Sequence, residues 1–458
     1  MRSRARYTSS LPLDPVSHLM LATHESLRRR GYCGLPVLLI VDLDRRLAAE
    51  TLAEAVRRVV VRHVGLAARV RFSRVWRRSF WEVSPNMPAA ERCDTRRLEC
   101  RHPGEDEAAV LQALNEPFDP GSGPQLRLRQ IALADGTERL ALVWPHYLMD
   151  LEGGVFLLQE LNAALRGTEF PSGDGEGEPP DAEAAAAASA AERPFRPRWL
   201  HSYLAAWRGR LHHAHLCLAE QPRLVGKPEA RGRSAFFRVR RFDAGFRQGY
   251  EAWARSWAAP GPLRYVRPLL VAAAQTYRDM AREKGRPRAR YLFSHALPLP
   301  REGLRKQLHG NQVVVPWFSL VDDDLNDAHR ADATLLSQVE RYLRPRGGLR
   351  EAVYEMLRAM QRWPFPVMRA LADHRSPRGA AGCTTYRFGD DLTTLGDARI
   401  THLTAVGTMN CHPGWILAET TFRGSWTLAV TAFEDYIPSS GAVEFLDRLE
   451  ARLRAAIG

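Results

Sequence analysis

His146 and Asp150 are the residues of this chain best suited to chemistry, in the run Pro145-His146-Tyr147-Leu148-Met149-Asp150-Leu151-Glu152-Gly153-Gly154. They follow a strand-like stretch at 138–144. A histidine at a strand end is held by a rigid sheet and still opens on a cleft. Its ordinary pKa, about 6.5, suits proton transfer at neutral pH. A carboxylate four positions on can hold the loop through an ion pair. As a bare spacing, His-x-x-x-Asp says little in a chain with 15 histidines.

The other chemical groupings read as structural. His212-His213-Ala214-His215 has only Cys217 and Glu220 nearby as further ligands, so it reads as a polar helix face. Cys33, Cys93, Cys100, Cys217, Cys383 and Cys411 form no Cys-x-x-Cys pair and read as free thiols. The arginine-rich stretch around Gly347-Gly348 lacks the strand and the Lys-Ser/Thr of a phosphate loop. No Gly-x-Ser-x-Gly elbow occurs. No metal and no bound cofactor is expected.

These residues sit in a chain of 458 residues, 45% apolar and 26% charged, with a formal charge of +13. Its length suits two or three domains. The strongest apolar run, 35–41, has strand length, and 1–10 lacks the apolar core of a signal peptide. A cytoplasmic protein is expected. Only three cations are lysines against 62 arginines, and they are spread along the chain. That spread argues against a nucleic-acid face and leaves a weak peripheral contact with an anionic membrane open.

Hydrophobic periodicity supplies the frame. Strands are expected at 36–42 and 66–72, a helix at 47–63 and another at 105–114, with a polar, irregular region up to about 103. Segments 126–133 and 138–144 flank Ala134-Asp135-Gly136-Thr137, a hairpin signal, and a helix follows at 153–166. Residues 171–194, acidic and Ala-rich, read as a flexible linker between an N-terminal lobe, 1–170, and a C-terminal lobe, 195–458. In the second half, helices are expected at 199–218, 266–283 and 441–456. Strands are expected at 291–299, at 311–320 apart from Pro316, at 414–422 and at 426–433. The aromatic stripe Trp199, Tyr203, Trp207 reads as a core face rather than a membrane face. Mixed helices and strands in both halves give an α/β (α+β) class.

The order of motifs resembles the condensation-domain and CoA-dependent acyltransferase superfamily, which has the chloramphenicol acetyltransferase-like fold. Glu116-Pro117-Phe118-Asp119, Gly123-Pro124-Gln125-Leu126-Arg127, the hairpin, the His-x-x-x-Asp loop and a helix follow one another as in that group. Pro12-Leu13-Asp14-Pro15, Arg62-His63, Leu297-Pro298-Leu299-Pro300-Arg301, Gly310-Asn311, the stretch from Thr385 to Gly389 and Leu395-Gly396 extend the likeness over most of the chain. The wax ester synthase/diacylglycerol acyltransferase and polyketide-associated acyltransferase branches are nearest.

The resemblance implies two similar lobes forming a V around a channel, with His146 as general base at its centre. The reaction would move an acyl group from a thioester, on CoA or an acyl carrier protein, to a hydroxyl or amine. Asp150 would be structural and pair with Arg301. Tyr147, Leu151, Gly153, Gly154 and Asn311 would line the channel. Two departures stand out: Pro145 replaces a first histidine, and Leu151 replaces a glycine that helps keep the channel open. A catalytically degenerate relative that binds an acyl chain or a carrier protein is the alternative.

Overall fold

A computed structural model describes residues 9–73, 79–84, 87–170, 199–217, 233–299, 310–311, 313–344, 348–375, 381–389, 392–407 and 414–458. The linker assigned to 171–194, Arg301 and Cys411 lie outside them. Two six-stranded mixed sheets, each covered by helices, form two lobes.

The first sheet runs Thr394–Leu395, Ala398–Val406, Pro36–Leu43, Glu138–Pro145, Leu126–Ala132, Cys93–Glu99. Pro36–Leu43 is almost wholly buried in mid-sheet, which is why it reads as an unbroken apolar run. The hairpin forms as expected, antiparallel from Arg127↔Val143 to Ala132↔Glu138. Two strands of this sheet come from the far side of the expected linker. Ala398–Val406 pairs antiparallel with Pro36–Leu43, from Ile400↔Leu43 to Val406↔Leu38.

The second sheet runs Trp317–Val321, Arg290–His295, Ala381–Arg387, Trp415–Phe422, Ser425–Phe433, Ala235–Phe242. Pro316 cannot donate a ladder hydrogen bond. The run expected at 311–320 therefore divides into Val313–Val314 and Trp317–Val321, and Val313–Val314 instead pairs with Leu297–Pro298. The lobes are tied directly: Asn115 bonds both the N–H and the C=O of Ala235, each at 2.7 Å. Arg241 reaches Asp42 at 2.8 Å, and the Tyr32 hydroxyl donates to Asp435 at 2.5 Å.

Local expectations fail in two places. The region taken as irregular holds the strands Ser79–Val83 and Cys93–Glu99. Cys93–Glu99 is an edge strand whose arginines and carboxylates face solvent, which hides its alternation. The helix Trp199–Cys217 is also turned the other way. Ala205 and Gly209 pack on Leu349–Met360, while Tyr203 is 67% and Trp207 52% exposed. A Cβ on Gly209 would lie 2.5 Å from the Ala352 carbonyl. This helix docks through its small residues, so Tyr203 and Trp207 do not form a core face. His212 bonds the Tyr342 hydroxyl, as suits a structural histidine. Among the described residues no helix is long and apolar enough to cross a membrane.

Candidate active site

The sheet delivers His146 to its place. The ladder between Pro36–Leu43 and Glu138–Pro145 ends at Pro36↔Pro145, and the His146 N–H then donates to the Leu35 carbonyl at 2.8 Å. Beyond it the chain turns, with Leu148 N–H bonded to the Pro145 carbonyl at 2.9 Å. Trp144 is fully buried and donates its indole N–H to the Met149 carbonyl at 3.1 Å, which ties the far side of the turn to the sheet.

Asp150 ends the loop as the N-cap of the helix Leu151–Arg166. Its carboxylate accepts from the Gly153 N–H at 3.1 Å, satisfying one of the free donors of the first turn. Asp150 is 6% exposed, as a residue that shapes the loop should be. Gly154 sits against Trp144: a Cβ there would lie 2.2 Å from the indole. Gly154 thus lets the helix approach the loop's anchor. Leu151 is half-buried in the first turn and packs on the core of the first lobe.

Tyr147 turns into the lobe. It is fully buried, its hydroxyl donates to Gln125 at 2.6 Å, and its ring meets His24 edge-on at 4.9 Å. Here the motif around Phe118 finds its use. Gln125 donates to the Asp119 carbonyl at 2.7 Å, and Arg127 lies over the Phe118 ring at 3.7 Å while donating to the Pro117 carbonyl at 2.7 Å. Burial pushes the Arg127 guanidinium down to about 10. His24 accepts from the Leu35 N–H at 3.0 Å and bonds the Phe118 carbonyl at 3.1 Å, so both ring nitrogens are engaged. Burial drives its pKa to about 3. The motif is a buttress under the loop.

The second half of the chain reaches the loop at Gly310-Asn311. Gly310 donates to the Leu148 carbonyl at 2.9 Å and accepts from the Asp150 N–H at 3.3 Å, a parallel bridge to Met149. Its φ of +94° is a conformation glycine adopts freely, and a Cβ would lie 3.2 Å from the Asp14 carboxyl. Asn311 is buried, and its amide donates to the His146 carbonyl at 2.8 Å and to the Ser17 hydroxyl at 2.9 Å. Ser17 lies in the first turn of the helix Pro15–Arg29, capped by Asp14. Sequence reasoning did not single out Ser17. The Asp14-Pro15 pair, a capping residue followed by proline, was the available sign that a helix begins there.

His146 itself is half-buried, and its Nδ1 is buried with no hydrogen-bond partner. Burial lowers its pKa, while its own carbonyl, the Asp150 charge and the Asn311 amide each raise it. A neutral imidazole at physiological pH is the form that can accept a proton. His146, Asp150, Gly153, Gly154 and Asn311 are thus brought together, and Tyr147 is directed into the core.

No family model matches the chain. Over 146 residues it is 34% identical to phosphinothricin tripeptide synthetase PhsB of Streptomyces viridochromogenes; the match takes in 31% of this chain and 11% of that much longer protein. Among solved structures, the first condensation domain of the CDA synthetase is similar over 99% of this chain and 97% of its own, with a TM-score of 0.67 and 12% identity. The epimerization domain from the third module of tyrocidine synthetase B is similar over 100% and 98%, with a TM-score of 0.64 and 13% identity. The two-lobed fold is that of the condensation domains.

Proposed function

We propose that this condensation-type fold transfers an acyl or peptidyl group from a thioester donor, acyl-CoA or a carrier-protein thioester, to an amine or hydroxyl acceptor, with His146 as general base. The observation that carries the reading is the placing of His146. It lies one residue beyond the last ladder pair of the first sheet, and Asn311 of the second half holds its carbonyl.

The acceptor's nitrogen or oxygen attacks the thioester carbon, and the His146 imidazole takes the proton that the acceptor sheds. The tetrahedral intermediate then expels the thiolate, which takes that proton back from the imidazolium. The products are an amide or ester and a free thiol, and the imidazole is neutral again. No acyl-enzyme is required, because the donor is already activated and binding supplies proximity. Asp150 shapes the loop rather than moving a proton.

Mass spectrometry of acyl-CoAs and carrier-protein thioesters incubated with amines and alcohols tests the reading. An acceptor-dependent acyl product that disappears with His146→Ala is expected; no product from any pair would overturn it. Pro145 and Leu151 favour a second reading, a module that binds an acyl chain or a carrier protein without transfer. The same screen would then show binding and no product. The cytoplasmic face of an anionic membrane suits the exposed Tyr203, Leu204, Trp207 and Leu211, which share one side of their helix with Arg208. Co-sedimentation with phosphatidylglycerol vesicles checks this, and unchanged sedimentation with Trp207→Ser would refute it.

A further inference from the structure

The strand Cys93–Glu99 closes one side of the first sheet, and among the described residues no strand pairs with its free edge. One bond at its end fixes which way its backbone points. The Cys100 N–H donates to the Ala132 carbonyl at 2.9 Å. Residues in step with Cys100, namely Asp94, Arg96 and Leu98, therefore turn their N–H and C=O groups toward Leu126–Ala132. Thr95, Arg97 and Glu99 turn theirs outward, and all three are exposed.

The side chains on this edge form a short self-complementary pattern. Arg97 and Glu99 lie on one face, 3.1 Å apart and 42% and 48% exposed. Leu98, between them, lies on the other face and is half-buried against the core of the first lobe. Turning the strand about an axis through Leu98 brings Arg97 opposite Glu99 and Leu98 opposite itself. The neighbouring axes do not fit. About Arg96 or Arg97 an arginine meets its own copy, and about Glu99 a carboxylate does; like charges directly opposite destabilise a sheet. An axis at Thr95 runs the second strand past Cys93, whose N–H is already taken by the Ala89 carbonyl of the helix Ala89–Arg92.

We propose that a second copy of this chain pairs antiparallel with Cys93–Glu99 about a two-fold axis at Leu98, joining the first sheets of both copies edge to edge. Arg97 and the partner's Glu99 then exchange both of their backbone hydrogen bonds, twice by symmetry, and their outward donors and acceptors are satisfied. Their side chains form unlike-charge pairs across the junction. The exposed contacts Glu99 makes within one copy, to Arg97 at 3.1 Å and Arg46 at 3.4 Å, are worth little and are exchanged at small cost. Leu98 gains apolar cover from the partner's Leu98. The inference goes beyond the acyl-transfer reading and does not depend on it.

Sedimentation velocity of the full chain over a concentration series tests this, and a reversible dimer is expected. Arg97→Glu opposes two carboxylates and Glu99→Arg two guanidinium groups, so each alone should weaken the dimer about 10-fold. The two reversals combined restore unlike pairs, and the dimer should return to within a few-fold of the wild type. Leu98→Cys puts two thiols on the axis at the closely spaced, non-hydrogen-bonded position. Mild oxidation should then link two chains, a link absent from the wild type treated alike. A wild type that stays monomeric at every concentration overturns the proposal and leaves the edge to another protein's strand or to solvent. A dimer that neither single reversal weakens, or that the combined reversal does not restore, overturns it as well. If a reversal variant does not fold by circular dichroism, the Leu98→Cys chain decides, and its failure to link overturns the proposal.

Discussion

Among the described residues the same supersecondary unit occurs in each lobe, and only the first copy carries a histidine in its loop. In the first, the hairpin Leu126–Ala132/Glu138–Pro145 leads through 146–150 into the helix Leu151–Arg166. In the second, Trp415–Phe422/Ser425–Phe433 leads through 434–438 into Ser439–Ile457. Both loops bury a tyrosine, Tyr147 and Tyr436. The first has a side-chain cap on its helix, the Gly310-Asn311 bridge and an imidazole with an unpartnered nitrogen. The second has no side-chain cap, and its Asp435 takes the Tyr32 hydroxyl across the lobes. The frame alone does not make a site. A segment arriving from elsewhere in the chain braces one loop and makes it the candidate site, and the other ties the lobes together.

The widest gap between the loops should appear on removing their key side chains. His146→Ala should lower transfer at least about 100-fold with the fold intact. Asp435→Asn should leave transfer within a few-fold and cost about 1 kcal/mol of stability. Matched rate losses in the two variants, measured with melting temperatures alongside, would erase the distinction.

The helix starts offer a second contrast. Gly154→Ala drives a methyl into Trp144, and about 1–3 kcal/mol of stability should be lost together with activity. Gly441 stands at the start of the other helix, and a Cβ there would lie 3.1 Å from Ile437 Cγ1 and 3.5 Å from the Pro438 ring, contacts much looser than that of Gly154 with Trp144. Gly441→Ala should cost less than half as much in a denaturant titration.

The pH dependence sharpens the comparison further. Burial holds the His146 pKa below its ordinary value, so the acid limb of kcat/KM should have its midpoint below about 6.5. The Asp150 charge opposes that shift, so Asp150→Asn should move the limb lower still while reducing the rate about 10-fold. A limb that moves up would assign Asp150 another role.

The broadest effect concerns the other buried histidines. His24 is held at about 3, and His18 and His295 at about 4, all by burial. Below the unfolded value of about 6.5, the unfolded chain takes protons that the folded chain refuses. Their effect is therefore to lower stability as pH falls from about 6.5 toward 4. Each such histidine contributes up to about 1.4 kcal/mol per pH unit. His24→Gln should flatten the slope of melting temperature against pH in that window.

Much of this was legible in short stretches of sequence. The Pro36–Leu43 run, the hairpin and the spacing of His146 and Asp150 are local patterns, and local patterns report local structure. The Asp14-Pro15 cap was equally local and marked a helix that periodicity had not proposed. What escaped was non-local. Nothing in residues 398–406 says that they pair with Pro36–Leu43, and nothing near Ser17 says that Asn311 will arrive there. The Tyr203 and Trp207 stripe misled because a helix with small residues on its opposite face can dock through those. Arginines that face solvent from Cys93–Glu99 hid an edge strand.

The strand Ala398–Val406 also sets an order of events during synthesis. Pro36–Leu43 leaves the ribosome long before its partner on that side, Ala398–Val406. Until then one edge of the most apolar strand of the first lobe is open, with backbone donors and acceptors unmatched. Pairing across so long a separation is slow, and open edges recruit other chains. Chains that stop within 171–194 should therefore self-associate. Full-length chains cut there after folding, at an engineered protease site, should stay together through gel filtration. A chain that stops short of Ala398 therefore lacks a strand of the sheet that carries the His146 loop.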